Sequence, residues 1–206
     1  KEGDWISLNG TTGKVYTGKL PVLPADPDKN KWYSTLMKWA DATRQINVRT
    51  NAESPADAAQ AVKFGAEGIG LARTEHMFFD STRIIFVREM IVADNEADRR
   101  KAVMKLLDFQ KKDFIGIFKA MAGKPVTVRL LDPPLHEFVG SLLEDRKELE
   151  ALAAHCGQPA AKIEDRIKSL HEFNPMLGHR GCRLGIAYPE ITEMQVRAIM
   201  SAAAEL

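Results

Sequence analysis

The stretch Gly65-Ala66-Glu67-Gly68-Ile69-Gly70-Leu71-Ala72-Arg73-Thr74-Glu75-His76-Met77-Phe78-Phe79 decides how the chain is read. Gly65 suits the left-handed position that ends a helix. Gly68, Ile69, Gly70 and Leu71 are small or apolar, the composition of a strand covered on both faces. Arg73, Thr74, Glu75 and His76 follow where that strand ends. In a parallel α/β fold that end is where ligands bind.

The same arrangement recurs on either side. Upstream, Ile46-Asn47-Val48-Arg49-Thr50-Asn51 reads as a first strand. Ser54 then caps a helix with Pro55 at its first position and Asp57 in its first turn, running to Phe64. Downstream, Phe79 to Ala122 is helical in at least two pieces with a break near Asp94-Asn95. Phe109, Phe114, Ile117, Phe118 and Met121 make the core stripe of the second piece. Val126-Thr127-Val128-Arg129-Leu130-Leu131 is a third strand, ended by Asp132-Pro133-Pro134. This β-α-β-α-β order implies a parallel sheet with right-handed crossovers. The chain then turns helical and charged, from Leu142 to Cys156 and from Ala160 to Phe173. The charge run from Glu144 to Arg166 reads as the solvated face of these two helices. An irregular, glycine-punctuated segment spans Asn174 to Leu184, and Pro189 opens a last helix through Leu206.

Residues 1–19 read as two short strands around Asn9-Gly10-Thr11-Thr12-Gly13, a hairpin too short to bury a core alone. They are expected to be the tail of another domain. Residues 20–31, with Pro21, Pro24 and Pro27, read as a semi-rigid linker or, equally from composition, an ordinary surface loop. A helix follows from Trp32 to about Thr43, with Trp32, Leu36 and Trp39 on one face.

Lys and Arg number 29 against 28 Asp and Glu, a formal net charge of +1, which leaves no global field to attract nucleic acid or a membrane surface. No apolar run approaches the ~20 residues of a membrane span, and no signal peptide is visible. Cys156 and Cys182, without close spacing, make neither a metal site nor a disulfide framework. A reducing, cytoplasmic setting is the expectation.

Each strand ends in a polar cluster at a corresponding place: Arg49 and Asn51, then Arg73 and Glu75, then Arg129 and Asp132. Arginines on adjacent strands suit a phosphate or carboxylate, because the guanidinium fork binds such groups bidentately and keeps its charge. Alternatively these arginines are solvated or paired with nearby acids such as Glu75 and Asp132. His76, His136 and His179 sit beside the motifs but lack ligand spacing with one another, so structural roles are expected. Cys182 reads as a small buried residue.

The segment from Glu67 to Phe79 resembles the signature of the phosphoenolpyruvate-utilising enzymes. Its His76-Met77-Phe78-Phe79 ending, and Asp132-Pro133-Pro134-Leu135-His136-Glu137-Phe138, are similar to the pyruvate, phosphate dikinase branch of that family. The resemblance covers nearly the whole chain, with the motifs in family order. It implies an α/β fold that is a partial (β/α)8 TIM barrel, with its first three strands and a helical insertion, in residues 32–206. A hairpin from a swivelling phosphohistidine domain would precede it in residues 1–19, and the linker would be 20–31. The resemblance also implies that Arg73 and Arg129 bind the phosphoryl group and are catalytic. Arg180, in Asn174-Pro175-Met176-Leu177-Gly178-His179-Arg180, would be a third substrate-binding arginine, and Asn51 a polar group near the site. The implied reaction converts ATP, phosphate and pyruvate to AMP, diphosphate and phosphoenolpyruvate through a phosphohistidine. It uses Mg2+, whose ligands are expected beyond residue 206. The implied partners are phosphoenolpyruvate or pyruvate, the phosphohistidine domain of the same full-length chain, and a second copy in a homodimer. The chain is then expected to be a fragment without turnover of its own. The alternatives are a fragment of a phosphoenolpyruvate synthase and a non-catalytic module that binds a phosphorylated metabolite.

Overall fold

A computed structural model describes residues 1–22, 26–174 and 176–206. Pro24 of the proline-rich stretch and Pro175 of the Asn174 motif lie outside the described residues. The chain forms two units, Lys1–Gln45 and Ile46–Leu206.

In the first unit, β1 (Ile6–Asn9) pairs antiparallel with β2 (Lys14–Thr17), Ile6 opposite Thr17 and Asn9 opposite Lys14. The Asn9 carboxamide closes the turn by accepting the backbone N–H groups of Thr11 and Thr12, each at 3.1 Å. Such local side-chain bonds are why asparagine favours turns. The helix α1 (Lys31–Thr43) starts at Asn30, whose side chain accepts from Tyr33 N–H. Its stripe of Trp32, Leu36 and Trp39 is exposed.

The second unit runs β3 (Thr50–Asn51), α2 (Pro55–Lys63), β4 (Ile69–Arg73), a single 3-10 turn (Thr74–Met77), α3 (Ile84–Val92), α4 (Glu96–Met104), α5 (Leu107–Met121) and β5 (Val126–Arg129). It continues with α6 (His136–Val139), a second 3-10 turn (Gly140–Leu143), α7 (Arg146–Cys156), α8 (Ala160–Ser169), α9 (Cys182–Ala187) and α10 (Pro189–Ala204). The three strands lie in the order β3-β4-β5, and both pairings are parallel. A mixed α/β fold with a parallel sheet is therefore present, compatible with part of a phosphoenolpyruvate-binding barrel.

Local chemistry explains the elements around β4. Ser54 and Asp57 exchange hydrogen bonds with each other's backbone N–H at the start of α2, a reciprocal capping box with Pro55 at the first helical position. Gly65 ends that helix at φ +89°, where a side chain would be strained. At Gly68 a Cβ would lie 2.8 Å from the Pro125 carbonyl oxygen, so only glycine lets the starts of β4 and β5 approach this closely.

Two strands are shorter than their sequence patterns. Of Ile46 to Asn51, only Thr50–Asn51 joins the ladder. Val48 N–H instead donates to the Glu67 carboxylate at 2.8 Å, while Glu67 N–H donates to the Val48 carbonyl at 2.9 Å. β5 stops at Arg129 rather than Leu131, because Leu131 N–H donates to the Gln195 side chain. The helical run after Phe79 breaks at Ala93–Asn95, as its pattern indicated, and again at Lys105-Leu106.

Two apolar cores result. One packs α2, α5 and the end of α10 against β4 through Ile69, Ala72, Phe114, Ile117, Met121, Ala198 and Ala202. The other fills a helical lobe with residues of α3, α4, α6, α7 and α8, together with Leu184, Ile191 and Met194. Each fully buried large side chain contributes roughly 1.5–3 kcal/mol. α10 belongs to both cores, Ile191 and Met194 to one and Ala198 and Ala202 to the other. Among the described residues, no helix is long and apolar enough to cross a membrane.

Candidate anion site at the strand ends

Arg73 is the last residue of β4 and Arg129 the last of β5, and the parallel register places them directly opposite one another. Two guanidinium groups thus leave the sheet side by side at the C-terminal ends of adjacent strands. Each is held by a carboxylate. Arg73 Nε donates to Glu53 Oε1 at 2.6 Å, and Arg129 donates to Glu75 Oε1. Asp132 lies 3.5 Å from Arg129 on its other side and also takes Arg180. Arg180 arrives from the segment between α8 and α9, which is pinned by its own bonds. The Arg183 guanidinium donates twice to the Gly178 carbonyl, at 2.9 and 2.7 Å, and His179 N–H donates to Glu172 Oε1 at 3.0 Å.

The site therefore alternates cations and anions: Glu53, Arg73, Glu75, Arg129, Asp132, Arg180. The hydrogen bond that Arg73 donates to Glu53 raises its already high pKa, and the one that Arg180 donates to Asp132 does the same there, so both stay charged at any working pH. Glu75 is only 7% exposed. Its Oε2, and Arg129 Nε, are buried atoms without a hydrogen-bond partner among the described residues. A buried donor left open costs about 1–3 kcal/mol, so Arg129 retains capacity for a further acceptor. A cavity of about 440 Å3 opens beside it, lined by residues that include Arg129, Asp132, Gly181, Cys182 and Gln195.

Of the residues marked out in the sequence, Arg73, Arg129 and Arg180 are brought together, and the pairing with Glu75 and Asp132 is also present. Asn51 is exposed on β3, opposite Leu71 rather than level with Arg73. Arg49 is exposed, and its stem lies against Gly68 and Gly70. His76 is exposed, the His136 ring stands 6.4 Å from that of His171, and the His179 ring stands 5.5 Å from that of Tyr188. Cys182 is exposed, which corrects its reading as a buried residue: it opens α9 on the side that lines the cavity.

Sequence reasoning placed Thr74 in the polar run at the strand end without giving it a role, and missed Glu53 and Gln195. Glu53 had a signal, since it is the acid just past the first strand, the place that Glu75 holds on the second. Gln195 had one too, as a polar residue on the apolar face of α10. No group of three or more His, Cys, Asp or Glu side chains converges to hold a metal among the described residues. The site as described is an arginine site, and no metal step follows from it.

A parallel α/β unit with paired arginines at its strand ends is a candidate site for an anion. Comparison with known proteins narrows the class. Residues 27–206 match the family described as PEP-utilising enzyme, PEP-binding domain, and the chain belongs to that family. It is 56% identical over 203 residues, 98% of its length, to a pyruvate, phosphate dikinase of Giardia intestinalis. It is 53% identical over 205 residues to that of Rhizobium meliloti (strain 1021), and 53% identical over 205 residues to the chloroplastic pyruvate, phosphate dikinase 1 of Arabidopsis thaliana, in both cases over 100% of its length. It spans 22%, 22% and 21% of these three relatives, about a fifth of each.

Proposed function

We propose that this chain is the phosphoenolpyruvate- and pyruvate-binding portion of a pyruvate, phosphate dikinase. In this reading residues 1–19 end a swivelling phosphohistidine domain, 20–31 are the linker, and 32–206 begin a (β/α)8 barrel. The observation that carries the reading is the register pairing of Arg73 and Arg129 at the ends of adjacent parallel strands. The family match and the relatives' names supply the chemistry.

In the half-reaction the phosphorus–nitrogen bond of the phosphohistidine breaks. A phosphorus–oxygen bond forms to the enolate oxygen of pyruvate, whose methyl group gives up a proton to a base that other residues of the full-length protein would supply. Arg73 and Arg129 clamp the phosphoryl oxygens from two sides, and Arg180 supports the charge through the loop it anchors. Asn51 borders the same mouth. Donors fixed before the charge arrives stabilise it without reorganisation, the usual source of electrostatic catalysis. Magnesium would be held by other residues of the full-length protein rather than by the arginine site described here, and would supply Lewis-acid polarisation of the pyruvate carbonyl when bound. That protein is a cytoplasmic homodimer in this reading, and the present chain alone has no turnover.

The test is calorimetric titration of phosphoenolpyruvate, with Mg2+ present, into this chain and into Arg73→Ala and Arg129→Ala. The parent is expected to bind, and each variant to bind at least about tenfold more weakly, the scale of a lost charge-assisted hydrogen bond. Equal binding by parent and variants would overturn the role given to the arginines. Failure of the parent to bind would refute a site formed by these strands.

A further inference from the structure

We infer that Gln195 of α10 is a positioning residue that sets the two arginines against each other. The ligand side of this inference rests on the reading above. Gln195 is 1% exposed, beside the buried apolar residues Ile191, Met194, Ala198 and Ala202 of the same helix. A buried carboxamide is costly there unless both of its ends are bonded. Both are. The carboxamide oxygen accepts Leu131 N–H at 2.8 Å, and the amino group donates to Thr74 Oγ1 at 2.9 Å. Leu131 N–H can only donate, so the orientation of the amide is fixed by its partners. The Thr74 hydroxyl in turn donates to the Arg129 carbonyl at 2.9 Å.

Every anchor of this chain of bonds is a site residue or its neighbour. Thr74 sits between Arg73 and Glu75, the Arg129 carbonyl belongs to the second arginine, and Leu131 precedes Asp132. One side chain from a helix thus bridges the ends of β4 and β5 just where their backbone pairing stops. An apolar side chain of the same size would fill the space yet leave the two strand ends free to slide. A misplacement of about 1 Å at a reacting group costs on the order of a hundredfold.

The test compares the parent with Gln195→Met, which is nearly the same size, Thr74→Val, and the double variant. Four readouts are followed: melting temperature, hydrogen exchange of Leu131 N–H, the Nε–H resonances of Arg73 and Arg129, and phosphoenolpyruvate affinity with Mg2+. Gln195→Met is expected to melt cooperatively, to exchange Leu131 N–H on the order of tenfold faster, to shift both arginine resonances, and to bind on the order of tenfold more weakly. Thr74→Val should reproduce part of this, and the double variant should lose less than the sum of the two single variants, since they share the bond from Gln195 to Thr74. A lower melting temperature with unchanged arginine resonances and affinity would overturn the positioning role and leave Gln195 as ordinary core. If Gln195→Met fails to fold, Thr74→Val decides by the same criteria. If the parent does not bind phosphoenolpyruvate, the functional reading falls, while the arginine resonances and Leu131 exchange still decide the role of Gln195.

Discussion

Replacing Gly116 by alanine sets two effects of opposite sign against each other. Gly116 lies inside α5, where alanine is favoured over glycine by about 1 kcal/mol. Yet a Cβ at this position would stand 2.5 Å from Pro55 Cγ and 2.9 Å from Pro55 Cβ, at the first residue of α2. Carbon atoms at rest sit about 3.5–4.0 Å apart, so α2 and α5 must separate by about 1 Å. A proline ring has no rotamer by which to escape. Overpacking costs about 1–3 kcal/mol, and a rigid neighbour puts this site at the upper end. The net expectation is a loss of about 2 kcal/mol, or about 4–8 °C in melting temperature for a chain of this size. Gly140→Ala is the matched control. Gly140 has helical dihedrals (φ −58°, ψ −41°) and open space where its Cβ would go, so alanine should raise the melting temperature by about 1–3 °C. Thermal unfolding followed by circular dichroism measures both. If Gly116→Ala melts at or above the parent while Gly140→Ala behaves as stated, the close approach of α2 and α5 is not what requires glycine. Pro55 lies two residues from Glu53, the partner of Arg73, so the same displacement reaches the site.

Two further outcomes follow from titrating groups outside the site. Burial pushes the Glu89 carboxyl up, but hydrogen bonds from Lys105 (2.7 Å) and His155 (3.0 Å), with their charges, bring it below the ordinary glutamate value of 4.5. A depressed folded value contributes stability above the unfolded pKa and loses it as pH falls through the folded one. The melting-temperature advantage of the parent over Glu89→Gln should therefore be full near neutrality and disappear in acid, and an advantage independent of pH would reject the pairing. Burial raises the Cys156 thiol to about 11, whereas Cys182 is exposed. Iodoacetamide at pH 8, with the sites resolved by mass spectrometry, should modify Cys182 well before Cys156, and the reverse order would contradict both assignments.

What was legible in the sequence was local. The start and end of α2 are written in Ser54, Pro55, Asp57 and Gly65, residues that act on their immediate neighbours. The recurrence of strand, helix and polar terminus identified the parallel sheet and pointed to its arginine ends. The misses were tertiary. Nothing between Ile46 and Asn51 reveals that the Glu67 side chain takes the Val48 N–H and halts the ladder. Likewise, Leu130 and Leu131 have strand composition, but the partner of Leu131 N–H lies 64 residues away on α10. Exposure of Cys182 could not be read from its residue type either, since it depends on which way a six-residue helix starts beside the cavity. In the candidate site, the cations were visible because arginines at strand ends repeat. The groups that hold them, Glu53 and Gln195, were not, because they reach the site from a different turn or helix.

The sharing of α10 between two apolar cores gives this helix a mechanical role. Its first half is gripped by the helical lobe and its second half by the layer that covers the sheet. Gln195 sits at the midpoint of that grip, between Met194 on one side and Ala198 on the other. The rod cannot tilt in the lobe without dragging its other end across the sheet. One helix is thus the tie between lobe and sheet, and the side chain at its midpoint is the one that bonds to the ends of β4 and β5.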